Sequence, residues 1–232
     1  MAACMIENQN EIILIANSKV LSINVVENNE PLVNLIYQHD IVVGPSPEIP
    51  NNTDYTNLRK TVFEKLKQAQ SLLPKGLRFC LYEGYRSLSL QKFLFDTRYK
   101  RIEKLHRDWT HEQLFNETTR LVSPVINLDG STNVPPHSTG GAIDVYLIDE
   151  AGRAIEMGIH PKDWMEDDDG VVSLTDSLII SDEAKQNRQI MSHVLNAVGF
   201  ANYPAEYWHW SYGDRYWAFI RNEPNAIYGM IN

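Results

Sequence analysis

Leu58, Val62, Leu66, Ala69 and Leu73 recur at the three-to-four-residue spacing of one helix face, and Pro74 with Gly76 closes the run. A second stripe, Ile190, Met191, Val194, Leu195 and Val198, follows a capping Ser181 and stops at Gly199. Between them the pattern changes. Residues 78–85 read as a strand that delivers Arg86 at its C-terminal end, where a helix begins near Ser87. Thr110 and Gln113 have capping-box spacing for a further helix that ends near Ser123-Pro124. Along residues 142–148, Asp144, Tyr146 and Ile148 share one strand face and Ile143, Val145 and Leu147 the other. At the start, residues 11–16 and 20–26 are short and β-branched and predict two strands joined at Asn17-Ser18; a loop with Pro45, Pro47 and Pro50 follows. At the end, residues 207–212 and 216–220 predict an aromatic hairpin around Gly213-Asp214.

Helices and strands alternate irregularly with hairpins, which predicts an α+β fold: a single domain with a mostly antiparallel central sheet flanked by helices. A doubly wound reading lacks the Gly-x-Gly-x-x-Gly turn, and no repeat or low-complexity segment is present. Residues 1–30 are read as a peripheral N-terminal extension with short strands, and residues 31–232 as the working domain.

Composition narrows the class. The chain has 232 residues, 43% hydrophobic and 22% charged, enough for one substantial core. A formal net charge of −9 disfavours nucleic acid or an anionic membrane as partner. The densest basic stretch, from Arg98 to Arg107, is interleaved with Glu103 and reads as a solvated helix face. No stretch approaches a membrane span, and two cysteines make no disulfide framework. No positively charged lead precedes an apolar run, so a cytoplasmic location is expected.

The candidate chemistry sits in three segments: Glu83-Gly84-Tyr85-Arg86, the stretch from His137 to Asp144, and Glu206-Tyr207-Trp208-His209. Asp144 lies in an otherwise apolar strand, where a charge requires a counter-charge or a metal. Gly140 and Gly141 let the backbone fold back so that His137 reaches the same point. His209 is the candidate third ligand, since a catalytic zinc site takes three protein ligands and leaves one position open. Glu206 is then placed to take a proton from a water held there. Each residue also has a blander reading: a lone His as a hydrogen-bonded core residue, Asp144 as a partner of Arg86, Glu206 as a solvated loop residue, and the whole set as a polar network.

The strings His137-x-x-Gly140-x-Ala142-x-Asp144 and Glu206-x-Trp208-His209, with Gly84-Tyr85-Arg86 upstream, resemble the D-alanyl-D-alanine dipeptidases of the VanX type from about Pro31 onward. The resemblance implies one Zn²⁺ on His137, Asp144 and His209, with Glu206 as general base and then acid. It gives Arg86 the role of stabilising the transition state, for which the plainer reading is a structural salt bridge. It further implies a small closed cavity for a D-amino-acid dipeptide whose free amino terminus needs a carboxylate. Asp163 is the first candidate for that anchor, with Glu156 and the acidic run 166–169 behind it. The chain departs from the family pattern in Ile159-His160-Pro161-Lys162 after Met157-Gly158, and in Glu83 before Gly84. Two alternatives stay open here: a peptidoglycan carboxypeptidase or endopeptidase, and a zinc-stabilised binding module without turnover.

Overall fold

The computed structural model describes residues 12–231. Its helices are α1 (Ser18–Leu21), α2 (Lys60–Ser71), α3 (Leu88–Leu105), α4 (His111–Thr118), α5 (Asp182–Ala197) and α6 (Arg215–Arg221). Its strands are β1 (Leu32–Asn34), β2 (Val42–Val43), β3 (Asn57–Arg59), β4 (Arg78–Glu83), β5 (Ala142–Ile148), β6 (Ala201–Asn202) and β7 (His209–Ser211). Five strands form the central sheet in the order β2-β4-β5-β7-β6, while β1 and β3 make a separate antiparallel pair. Only the β2–β4 pairing in the central sheet is parallel, so the expected mixed, mostly antiparallel architecture is the one observed.

The alternation along β5 divides the two faces as the sequence predicts. Ile143, Val145 and Leu147 join Leu81 and Phe79 in the main core, against Val62 and Leu66 of α2 and Met191 and Leu195 of α5. Tyr146 and Ile148 pack with Cys80 and Tyr82 on the opposite face. Asp144 belongs to that second face, at the end of the strand where apolar packing gives way to polar groups.

Several sequence expectations change. Residues 12–17 form no strand: the Asn17 amide turns back to the Leu14 carbonyl (2.9 Å), and its side chain caps α1 by accepting from the Lys19 amide (2.9 Å). Asn and Ser here start a helix rather than join two strands, because an Asx side chain satisfies an orphan helix donor. Of the stretch 20–26 only Val25 pairs, as an isolated bridge to Ala226; Glu11 lies outside the described residues. The second arm of the predicted aromatic hairpin is α6, started by Asp214, whose carboxylate accepts from the Trp217 amide (2.7 Å). Leu58 lies in β3, so α2 begins later than its apolar stripe, and β4 ends at Glu83. Among the described residues no helix is long and apolar enough to cross a membrane.

Candidate metal centre and active site

Strand register builds the site. β5 and β7 are antiparallel with Asp144 directly opposite His209, so both side chains leave the sheet at one point. On the other side of β5, a bulge between Leu81 and Glu83 sets Glu83 against Asp144. The bulge inserts one residue and turns Glu83 to the row that Asp144 and His209 share, a common use of bulges beside functional sites.

His137 arrives from the short 3₁₀ turn Pro136–Thr139, which ends at Gly140 in the left-handed region (φ 70°). A side chain there would be strained, and a Cβ would meet Leu32 Cδ2 at 2.7 Å. His137 Nδ1 lies 2.7 Å from the Gly84 carbonyl, which fixes Nδ1 as the protonated nitrogen and turns Nε2 inward. Gly84 tolerates no side chain, since a Cβ would stand 2.7 Å from the Tyr55 carbonyl. Two more bonds zip the segments together: the Arg86 amide donates to the His137 carbonyl (3.2 Å), and Ser138 Oγ donates to the Arg86 carbonyl (2.8 Å).

The inward atoms converge. His137 Nε2 is 3.1 Å from His209 Nδ1 and 3.3 Å from Asp144 Oδ2, and His209 Nδ1 is 3.0 Å from Asp144 Oδ1. Ligand atoms on bonds of about 2.0–2.1 Å at a tetrahedral ion stand about 3.3 Å apart, so one small divalent ion fits this spacing. All three residues are buried, and their ligand atoms lie within 4.8 Å of one another. Two imidazoles and a carboxylate are the donor set of such a site.

Electrostatics fit the same use. Burial alone would raise the Asp144 carboxyl, but the facing His137 and His209 outweigh it and hold the group far below the usual carboxylate range. Burial lowers the His209 imidazole against the opposing pull of Asp144, favouring the neutral form that binds a metal.

Glu206 comes from the turn between β6 and β7. Its amide donates to the Tyr203 carbonyl (2.9 Å), its carbonyl accepts from the His209 amide (3.1 Å), and its Oε2 lies 3.8 Å from His209 Nδ1. Burial first and the Asp144 charge second push its carboxyl well above the ordinary range, against the opposing Arg86. A carboxyl whose proton affinity is raised in this way can both take and give a proton.

Arg86 faces the same cavity and is also paired. Nε donates to Glu83 Oε1 (2.9 Å), Nη2 to Glu83 Oε2, and Nη1 to Gln91 Oε1 (2.9 Å). Arg86 thus makes the salt bridge of its plainer reading and also lines the cavity. A guanidinium has five N–H groups, so these three bonds leave two for another partner. The cavity is about 40 Å³, room for roughly a few waters. His137, Asp144, His209, Glu206 and Arg86 all line it, as do Trp164, Tyr203 and Ile15.

The acidic residues expected to anchor an amino terminus are not among the cavity's lining residues. Asp163 pairs with Lys162 Nζ (2.6 Å) at the surface, although Pro161 and Trp164 of the same turn do line the cavity. Glu156 accepts from the Gly158 amide (2.6 Å), Asp167 from the buried Ser173 amide (2.7 Å), and Asp168 pairs with Arg101 (2.6 Å). These carboxylates serve local turns and ion pairs. Sequence reasoning missed Ile15, Tyr203 and Trp164, which are apolar or aromatic residues brought in by packing and carry no motif.

The chain is similar to several known proteins. Residues 51–225 match the sequence model of the M15 peptidases, described as D-ala-D-ala dipeptidase. A D-alanyl-D-alanine dipeptidase of Synechocystis sp. is 25% identical over 238 residues, spanning 91% of this chain and 96% of the relative. Among solved structures, VanYB in complex with D-alanine-D-alanine overlaps at TM-score 0.41 and 15% identity, covering 85% of this chain and 91% of that one. The LdcB LD-carboxypeptidase overlaps at TM-score 0.35 and 18% identity, covering 88% and 81%.

Proposed function

The chain belongs to the M15 peptidase family, the D-ala-D-ala dipeptidases, and on that premise we propose that it is a zinc-dependent dipeptidase that hydrolyses D-alanyl-D-alanine to two molecules of D-alanine. The observation that carries the reading is the meeting of His137, Asp144 and His209 at one point inside a small cavity that also holds the Glu206 carboxylate.

His137 Nε2, Asp144 and His209 Nδ1 would hold the zinc. When bound, the ion supplies Lewis acidity that polarises a carbonyl and makes water easier to deprotonate. Glu206 takes the proton of the attacking water and delivers it to the amide nitrogen as the C–N bond breaks, so one D-alanine leaves as amine and the other as acid. Its raised proton affinity suits the second half of that task, because a strong carboxylic acid would not hold the proton between the two transfers. Arg86 offers its two remaining N–H groups to the negative charge that develops on the carbonyl oxygen, while Glu83 and Gln91 keep the guanidinium from swinging away. The setting of these groups among buried residues favours a small substrate over a polymer chain.

For the substrate amino terminus Asp163 remains our proposed anchor, and it requires release from Lys162 and rotation of its side chain towards the cavity lined by its neighbour Trp164. Incubating the zinc-loaded protein with D-Ala-D-Ala and, separately, with a muropeptide ending in D-Ala-D-Ala tests the substrate class. Release of D-alanine from the free dipeptide is expected. Turnover of the muropeptide alone would replace the dipeptidase reading with a carboxypeptidase one.

A further inference from the structure

The stretch before β1, expected to be peripheral, reaches the catalytic cavity. Ile15 is 8% exposed and is one of the residues lining the space that holds Glu206 and the metal-binding trio. Its apolar neighbours are Leu121, Tyr203, Ala205 and Tyr216, with Val20 of α1 in the same cluster. Two of them belong to the loop that presents Glu206, and the Tyr203 ring stands edge-on to the His209 ring at 6.0 Å. Ile15 therefore abuts the catalytic loop and contributes an apolar surface to the cavity.

The segment is anchored from its far end. The Val26 amide donates to the Ala226 carbonyl (2.8 Å), the Ala226 amide to the Asn24 carbonyl (2.9 Å), and Arg215 Nε to the Ile23 carbonyl (3.1 Å). Glu27 then pairs with Arg59 at 3.0 Å and accepts from the Gly229 amide at 2.6 Å. Residues 23–27 are thus tied to α6 and to the C-terminal segment around Ala226 and Gly229, and the chain before them crosses to the cavity. The family match begins only at residue 51, so this part of the cavity wall comes from outside the matched region.

We propose that Ile15 is a specificity-determining residue, its side chain closing one end of the catalytic cavity so that the enzyme accepts the methyl side chains of D-Ala-D-Ala and excludes dipeptides with larger ones. The inference rests on the dipeptidase reading above and adds the element that sets side-chain size. A wall of this kind acts on selectivity because each extra methylene in a tight apolar pocket changes transition-state binding by about 10–200-fold. Leu121 and Tyr203 share its cluster and line the same cavity, so the isoleucine is one part of a packed apolar wall.

The test compares kcat/KM for D-Ala-D-Ala and D-Ala-D-Leu in wild type, Ile15→Ala, Ile15→Val and Ile15→Phe. Wild type is expected to prefer D-Ala-D-Ala. Ile15→Ala should shift the ratio towards D-Ala-D-Leu by about tenfold or more, and Ile15→Val should shift it less. Ile15→Phe should depress both substrates, D-Ala-D-Leu more. Val20→Ala, in the same cluster but not on the cavity, should lower Tm and leave the ratio unmoved, which separates wall from scaffold. If D-Ala-D-Ala is turned over and the ratio stays within about twofold in every folded Ile15 variant, this inference falls and the dipeptidase reading stands. If wild type does not turn over D-Ala-D-Ala at all, the dipeptidase reading falls and takes this inference with it.

Discussion

The two sides of the cavity are held by different forces. On one side, Asp144 and His209 are cross-strand partners, and His137 is tied to Gly84 and Arg86 through backbone carbonyls and amides. Directional bonds fix these groups in position to the fraction of an ångström that proton transfer and ion binding demand. On the other side, residues 12–21 present Ile15 and Val20 through apolar contact with Leu121, Tyr203 and Tyr216. Packing is non-directional and tolerates a change of volume at a modest cost. The chemistry therefore sits on the bonded side, and the dimension that a substrate must match is left to the packed side.

Breaking the bonded side should have the largest effect. His209→Ala removes a ligand and should reduce turnover to background in a zinc-supplemented assay, with circular dichroism unchanged. Next, Glu206→Gln keeps the size and loses the proton acceptor; turnover should fall by about 10²–10⁴-fold. The wild-type rate should also fall with decreasing pH as Glu206 becomes protonated, because its raised proton affinity places the loss of its base form above the usual carboxylate range. Glu206→Gln should lack that acidic limb, and a variant that retained it would assign the limb to another group. Arg86→Lys keeps the charge but loses the fork that holds Glu83 and Gln91 together, and should cost about 10²–10³-fold in kcat.

Changes on the packed side should register in stability before they register in chemistry. Val20→Ala empties part of a cluster in which Val20 is 1% exposed, and should cost about 1–3 kcal/mol by urea denaturation with kcat for D-Ala-D-Ala within about twofold of wild type. The smallest effect is expected at the exposed Lys92–Asp96 pair on α3, side chains 59% and 47% exposed, where Lys92→Ala should change stability by less than about 0.5 kcal/mol.

The same contrast explains what could be read from the chain. The meeting of His137, Asp144, His209 and Glu206 was legible because short strands and tight turns convert sequence spacing directly into spatial neighbours: Asp144 after two glycines, His209 three residues after Glu206. The α2 and α5 stripes were legible for the same reason, since period fixes the buried face. Residues 216–220 were misread as strand because aromatic residues favour both strands and buried helix faces, and only the cap at Asp214 distinguishes them. Ile15 was invisible because its neighbours Leu121 and Tyr203 are remote in sequence, and an isoleucine among isoleucines carries no signal of what it will touch. The Lys162–Asp163 pair was invisible for a related reason: neighbouring opposite charges in a sequence do not say whether their side chains meet.

The central claim is that His137, Asp144 and His209 bind one ion together. Zinc content after metal loading and exhaustive dialysis, measured by elemental analysis on wild type, Glu206→Gln and Asp144→Ala, tests it most directly. One equivalent in the first two and essentially none in Asp144→Ala is the expected result; no zinc on wild type, or a full equivalent retained by Asp144→Ala, would contradict it.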